Sequence, residues 1–121
     1  MEARSPVLVV LIDGVAPRHV TRATMPTLTT LAREGASCFG ARAVEPPRTP
    51  PVHTTMFRSI DPATHGVRDN APIPLTSDAP SFLKAGRAAG RTTAMFVNWA
   101  PFDAVIERDA AEHRFVIDGG Y

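Results

Sequence analysis

An α/β layered fold with a mainly parallel sheet is predicted for this 121-residue chain. Six consecutive apolar residues at 7–12 are typical of a strand that is buried on both faces of a parallel sheet. Residues 92–97 (Thr-Thr-Ala-Met-Phe-Val) are predicted to be a second central strand. Helical patterns lie between the two runs, and the alternation of strands with helices is the signature of this fold class.

The first strand, residues 7–12, ends at Asp13-Gly14. A helix is predicted from Pro26, at its first position, to Glu34, with an apolar face of Leu28, Leu31 and Ala32. Gly35 is well placed to end this helix. Residues 36–44 are predicted to be a weaker strand or an extended segment.

The proline-rich run at 45–51 excludes regular structure until after Thr49, which is predicted to be the N-cap of a helix over residues 50–58. Residues 60–74 are predicted to be a loop. A helix follows over 80–89, with Asp78 or Ser81 near its start and Gly90 after its end. The strand at 92–97 comes next, then a helical pattern at 104–113 and a short strand at 115–117.

The composition restricts the class of function. Thirteen basic and twelve acidic residues give a net charge of +1, so there is no electrostatic argument for nucleic-acid or membrane binding. Cys38 is the only cysteine, which excludes an intrachain disulfide and a thiolate metal cluster. The apolar runs are too short for a membrane helix or a secretory segment, and we expect a cytoplasmic protein.

Asp13 is the first candidate functional residue, because open α/β sheets place their ligands at the carboxyl ends of strands. A carboxylate there can bind a divalent metal or a substrate, or it can simply end the strand as a turn residue. A haloacid-dehalogenase-type phosphatase needs a second aspartate two positions later, where this chain has Val15. A dinucleotide-binding turn would require more glycines than this segment has.

Thr49 is the second candidate. At the start of a helix its hydroxyl would lie near the first backbone N–H groups and the positive end of the helix dipole, which suits a phosphoryl group. A threonine hydroxyl would need a metal ion to act as a nucleophile at neutral pH. The alternative is an ordinary capping threonine. Arg48 beside it is a candidate phosphate contact or a solvated arginine.

Four segments together resemble a known family. They are Leu-Ile-Asp-Gly at 11–14, Met-Pro-Thr-Leu-Thr-Thr-Leu-Ala-Arg-Glu-Gly at 25–35, Pro-Pro-Arg-Thr-Pro-Pro-Val-His-Thr-Thr at 46–55 and His-Gly-Val-Arg-Asp-Asn at 65–70. In this order and spacing they resemble the opening of the nucleotide pyrophosphatase/phosphodiesterase branch of the alkaline phosphatase superfamily. The resemblance covers residues 7–101 or so.

The resemblance implies a three-layer αβα sandwich and a hydrolase of phosphate esters. It implies that Asp13 ligates one of two zinc ions, with manganese or magnesium as alternatives. Thr49 would be the nucleophile, would contact the metal and would form a covalent phospho-enzyme intermediate. His53 and the pair His65-Gly66 match family positions that we interpret as structural.

Two positions depart from the family pattern. Many members have an asparagine three residues after the nucleophile, where this chain has Val52, and a Thr-Gly pair where it has Arg58-Ser59. The ester class is therefore open, with a phosphomonoester, phosphonate or sulfate ester as alternatives to a diester. Sulfatases share the fold, but their Cys/Ser-x-Pro-x-Arg context is not matched by the residues from Thr49 onward.

The resemblance also implies further metal ligands that follow later in the chain of family members. Asp109 and His113 have the Asp-x-x-x-His spacing and would share a face of a helix, or they are a solvated helix end. We therefore expect that residues 1–121 are the N-terminal part of one catalytic domain, with the remainder on further sequence or another chain. The rival interpretation is a non-catalytic α/β binding or structural module.

Overall fold

The computed structural model describes residues 5–71 and 75–117. Its helices are α1 (Pro26–Glu34), α2 (Thr49–Arg58), α3 (Pro62–His65) and α4 (Phe82–Ala88), and its strands are β1 (Ala94–Val97) and β2 (His113–Val116). Two short 3₁₀ turns lie at Pro17–His19 and Ala100–Ala104. The chain divides into two compact units, residues 1–41 and 42–121, which are described separately below.

In the first unit, the predicted buried strand at 7–12 is wrong. These six residues form no regular element, and their side chains are 36–87% exposed. A strand exists through hydrogen bonds to a neighbouring strand, and in the described part of the chain the sheet consists of β1 and β2 alone. Apolar composition predicted burial here, but no strand within residues 5–71 and 75–117 pairs with this run.

Helix α1 confirms the sequence prediction at both ends. Pro26 stands at its first position, and the amide of Gly35 donates to the carbonyl of Leu31 at 2.9 Å after the last helical residue. Leu28 and Ala32 of the predicted apolar face are half-buried, whereas Leu31 is 60% exposed. Residues 36–44 are non-regular, so the weaker strand is not formed.

In the second unit, helix α2 begins one residue earlier than predicted. The backbone of Arg48 is extended (φ −107°, ψ 156°), and its carbonyl accepts the first helical bond, from the amide of Val52 at 3.1 Å. Arg48 is therefore the N-cap and Thr49 the first helical residue, which corrects the prediction that Thr49 caps the helix. The helix ends at Ser59, whose φ of 56° is left-handed.

Helix α3 lies inside the segment predicted to be a loop, the end of which (72–74) is outside the described residues. The carboxylate of Asp61 accepts from the amide of Thr64 at 2.8 Å, and Pro62 follows it at the first helical position. An Asp-Pro pair is a signal for the start of a helix. The surrounding prolines and glycines led to the prediction of a loop instead. Gly66 then ends the helix with φ 78°.

Gly66 should not tolerate a side chain. A Cβ there would lie 2.8 Å from Thr76 Oγ1, which donates to the carbonyl of Thr64 at 3.0 Å, so moving Thr76 aside would break that hydrogen bond. We expect Gly66→Ala to lower the free energy of unfolding by about 1–3 kcal/mol. Gly90→Ala is the matched control, because Gly90 also has a positive φ (72°) but meets nothing within 4 Å. Urea denaturation measures both, and an equal loss in the two variants would contradict the steric argument.

The sheet confirms the parallel arrangement predicted for its strands. β1 pairs in parallel with β2, with Ala94 opposite His113 and Val97 opposite Val116. Both strands begin within two residues of the predicted positions, and Ser81 is the N-cap of α4, as one of the two predicted alternatives. The core of this unit contains the buried residues Phe57, Met95, Val105, Ile106, Ala110 and Ala111.

The predicted helix at 104–113 is wrong, since this segment forms turns before β2. Its carbonyls accept hydrogen bonds from side chains of other elements. The pairs are Arg58 with the carbonyl of Val105 (3.4 Å), Arg114 with Ile106 (3.2 Å) and Glu107 (3.0 Å), Arg87 with Asp109 (2.6 Å) and Thr93 with Ala110 (2.8 Å). In a helix these carbonyls would instead accept from amides four residues later. Tertiary contacts therefore override the local helical pattern.

Candidate functional site

The first turn of α2 positions Thr49, which is half-buried as the first helical residue. The two residues after it, Pro50 and Pro51, carry no amide hydrogen. Among the first three helical residues, Thr49 alone therefore has a backbone N–H. The helix dipole still favours an anion here, but this helix end has fewer amide donors than an ordinary one. A phosphate would depend more strongly on side chains.

The side chain nearest in sequence is Arg48, and its guanidinium forms an ion pair with Asp69 through Nη1 and Oδ1. The same carboxylate oxygen accepts from the amide of Asn70 at 2.6 Å. The hydrogen bond from the Asn70 amide holds the pKa of Asp69 below its usual value, and the hydrogen bond from Arg48 adds a smaller effect in the same direction. Asp69 was not singled out from the sequence, because nothing in its local context shows which cation it faces.

His53 lies one turn after Thr49 on α2 and is buried. Its Nδ1 donates to the carbonyl of Thr49 at 2.7 Å. Its ring packs edge-on against Phe102, with centroids 4.6 Å apart. These contacts support the structural interpretation of His53, which fixes the first turn of the helix and joins it to the core.

His65 links α3 to α2 and is completely buried. The amide of Val67 donates to Nδ1 at 3.1 Å, which requires that nitrogen to be unprotonated. The proton of the neutral ring is then on Nε2, which lies 3.1 Å from Thr55 Oγ1 and donates to it. Burial lowers the pKa of His65 below 6.5, and the charges of Arg58 and Arg68 lower it further, while a hydrogen bond with the backbone of Pro51 and the charge of Asp61 oppose them. His65 is therefore neutral, and its hydrogen bond to Thr55 links α3 to α2.

The lowered pKa of buried His65 should make the free energy of unfolding depend on pH. Because the folded-state pKa of His65 lies below 6.5, its contribution is fully present above that pH and is lost as pH falls toward the folded-state pKa. We expect the free energy of unfolding to fall below pH 6.5 by at most about 1.4 kcal/mol per pH unit from this group. Urea denaturation at several pH values from 7.5 to 5 measures the slope. His65→Asn should reduce the slope of the free energy of unfolding against pH, whereas His19→Asn, a control at an exposed histidine, should leave it unchanged. Equal slopes in the two variants would contradict the assignment of this pH dependence to His65.

Asp13 belongs to the first unit. Its Oδ1 accepts from the amide of Gly14 at 2.8 Å, and Gly14 has a φ of 73°. This is the geometry of a turn, and Asp13 is exposed. Arg48 and Thr49 lie in the second unit, where the start of α2 brings them side by side.

The described residues do not fit a complete two-metal site. Nowhere in residues 5–71 and 75–117 do three or more His, Cys, Asp or Glu side chains form a group that could hold a metal ion. The pair Asp109 and His113 does not share a helix face, since His113 begins β2 and Asp109 lies 3.5 Å from Lys84 Nζ. Asp13 and Thr49 together are also too few ligands for two ions.

Among the described residues, no helix combines the length and the apolar character needed to cross a bilayer.

Comparison with known proteins gives one match. A family model described as type I phosphodiesterase / nucleotide pyrophosphatase matches residues 7–112, which includes Asp13, Arg48 and Thr49. Searches of curated proteins and of solved structures each returned no significant match. The family match covers most of the chain and confirms the resemblance seen in its four sequence segments. The chain therefore belongs to the type I phosphodiesterase / nucleotide pyrophosphatase family.

Proposed function

We propose that this chain forms part of a phosphoric ester hydrolase in which Thr49 is the nucleophile. The observation that carries the proposal is the position of Thr49, at the first residue of α2 and directly after the extended, ion-paired Arg48, within the region that matches the family. A family of this type contains hydrolases that act on phosphodiester or pyrophosphate bonds. Thr49 has the required hydroxyl, and Arg48 has donors suited to a phosphate oxygen.

The proposed reaction has two steps. Thr49 Oγ1 attacks the phosphorus of a diester, a new O–P bond forms, and the leaving alcohol departs with the bonding electron pair and takes up a proton. The hydroxyl proton of Thr49 is released in the same step. Water then attacks the phosphorylated threonine, which releases a phosphomonoester and restores the hydroxyl. Arg48 would orient the phosphoryl oxygens during both attacks.

Two divalent metal ions, zinc or alternatively manganese or magnesium, are part of the proposal. They would lower the pKa of the attacking hydroxyl and neutralise charge on the phosphoryl group. Asp13 and Thr49 are the proposed ligands from this chain. The described residues do not complete the ligand set, and the proposal names only these two ligands. We also propose the three-layer sandwich for the whole domain and a cytoplasmic location.

Trapping the covalent intermediate tests this proposal directly. The purified chain is incubated with bis(p-nitrophenyl) phosphate and Zn²⁺, quenched in acid and digested. Mass spectrometry of the peptides should find one p-nitrophenyl phosphoryl group on Thr49. Metal content measured on the same preparation by plasma mass spectrometry should show about two zinc ions per active assembly. Turnover accompanied by an adduct on a different residue would overturn the assignment of Thr49.

A further inference from the structure

The ion pair between Arg48 and Asp69 lies beside the proposed nucleophile and is open to solvent. The two side chains are 54% and 53% exposed, so a ligand can reach both of them from solvent. A guanidinium is a planar fork, and one edge can hold a carboxylate while the other binds a phosphate oxygen. The pair can therefore remain intact while a substrate is bound.

The charges of this pair have a consequence for the kind of ester that binds. Arg48 alone would attract any phosphate, and a dianionic monoester more strongly than a monoanionic diester. Asp69 cancels that net attraction and repels each negative charge on the ligand. The repulsion grows with ligand charge, so its cost is greater for the monoester. The scarcity of amide donors at the start of α2, with prolines at positions 50 and 51, leaves few other groups to offset it.

We infer that Asp69, paired with Arg48 beside Thr49, is a specificity-determining residue whose charge favours phosphodiesters over phosphomonoesters at Thr49. This inference rests on the proposed function and names the ester class that the sequence left open. Asp69 does not itself need to touch the reacting atoms. It is a positioning residue that holds the guanidinium and sets the local charge. Its contribution to stability is small, as is usual for an exposed ion pair, so it can be replaced without unfolding the protein.

The test compares two ligand charges in matched variants of the full chain. Hydrolysis of bis(p-nitrophenyl) phosphate and of p-nitrophenyl phosphate gives the diester-to-monoester ratio of kcat/KM. Binding of dimethyl phosphate and of methyl phosphate at pH 8, followed by the NMR signal of the Arg48 Nε–H group, gives the same ratio without catalysis. The variants are Asp69→Asn, Arg48→Gln and the double variant. Asp109→Asn is the control, because it removes the same charge from another exposed ion pair.

We expect Asp69→Asn to shift both ratios toward the monoester by about fivefold, which corresponds to one additional ligand charge near an exposed carboxylate. Asp109→Asn should leave them within about twofold. Asp69→Asn made in the Arg48→Gln background should shift both ratios in the same direction as in the wild-type background, because the carboxylate repels ligand charge with or without Arg48. In the variants that lack Arg48, ligand binding is followed by the NMR signal of the Thr49 amide instead.

The outcomes separate this inference from the proposed function. If the chain is inactive but its binding ratio shifts as expected, the inference stands and catalysis by this chain is contradicted. If the chain is active through Thr49 and neither ratio shifts, Asp69 does not determine specificity. An equal change for both ligands, or no binding of either ligand, also overturns the inference.

Discussion

Thr49→Ala should reduce hydrolysis of a phosphodiester by about a thousandfold or more, because no other atom can replace the attacking oxygen in the first step. The fold should be retained. Arg48 is the N-cap of α2, and the bond from His53 goes to the backbone carbonyl of Thr49, which alanine keeps. The loss should appear in kcat as well as kcat/KM, measured with bis(p-nitrophenyl) phosphate and Zn²⁺.

Two controls make this result specific. Thr49→Ser keeps a hydroxyl and should retain measurable turnover. Thr54→Val lies in the same helix and removes a buried hydroxyl that has no hydrogen-bond partner among the described residues, so activity should be unchanged and stability equal or slightly higher. Unaltered turnover in Thr49→Ala would contradict the role of Thr49 as the nucleophile. A wild-type chain without turnover when metal and all assembly partners are supplied would favour the non-catalytic module.

Arg58→Met should destabilise the second unit by about 3–5 kcal/mol, the usual effect of removing one partner of a buried ion pair. The side chain of Arg58 is only 4% exposed and lies 3.3 Å from Glu107 Oε1. It also donates to the carbonyls of Ala79 and Val105. Burial alone would raise the pKa of Glu107, but hydrogen bonds from Ser81 and the charge of Arg58 outweigh it, and the pKa is lowered. Loss of Arg58 would therefore leave a buried carboxylate without its cation.

Denaturation in urea, followed by circular dichroism, measures this effect. Adding Glu107→Gln to Arg58→Met removes the unpaired charge while keeping an acceptor for the amide of Ser81, so part of the loss should be recovered. Asp109→Asn breaks an exposed pair instead and should change the free energy of unfolding by less than about 0.5 kcal/mol. Equal losses in Arg58→Met and Asp109→Asn would show that burial of the Arg58 pair is not important.

The sequence predicted those elements whose limits are set by local chemistry. Helix α1 follows from a proline at its first position and a glycine after its end, and α4 from a serine cap, so neither depends on distant residues. Residues 7–12 have an equally clear pattern, but a strand is defined by its neighbours. The helix predicted at 104–113 is not formed for a related reason, because arginines from other elements donate hydrogen bonds to the carbonyls of this segment.

The candidate site was predictable in part. Thr49 was expected at the start of a helix because of the prolines around it, and the helix does start there, with the cap displaced by one residue. The pairing of Arg48 with Asp69 joins residues 21 positions apart and has no local signal. Metal ligation by Asp13 remains a prediction, because it depends on residues beyond those that the structure describes.

The side-chain bonds to the carbonyls at 105–110 also bear on how this unit folds. Their donors lie 7 to 47 residues away, on both sides of the segment along the chain. The segment therefore cannot nucleate by itself, as a helix of the same length might begin to do, and its backbone becomes ordered only when α2, α4 and both strands have assembled. It couples the early and late parts of the unit into one cooperative transition, so the unit gains or loses its core as a whole.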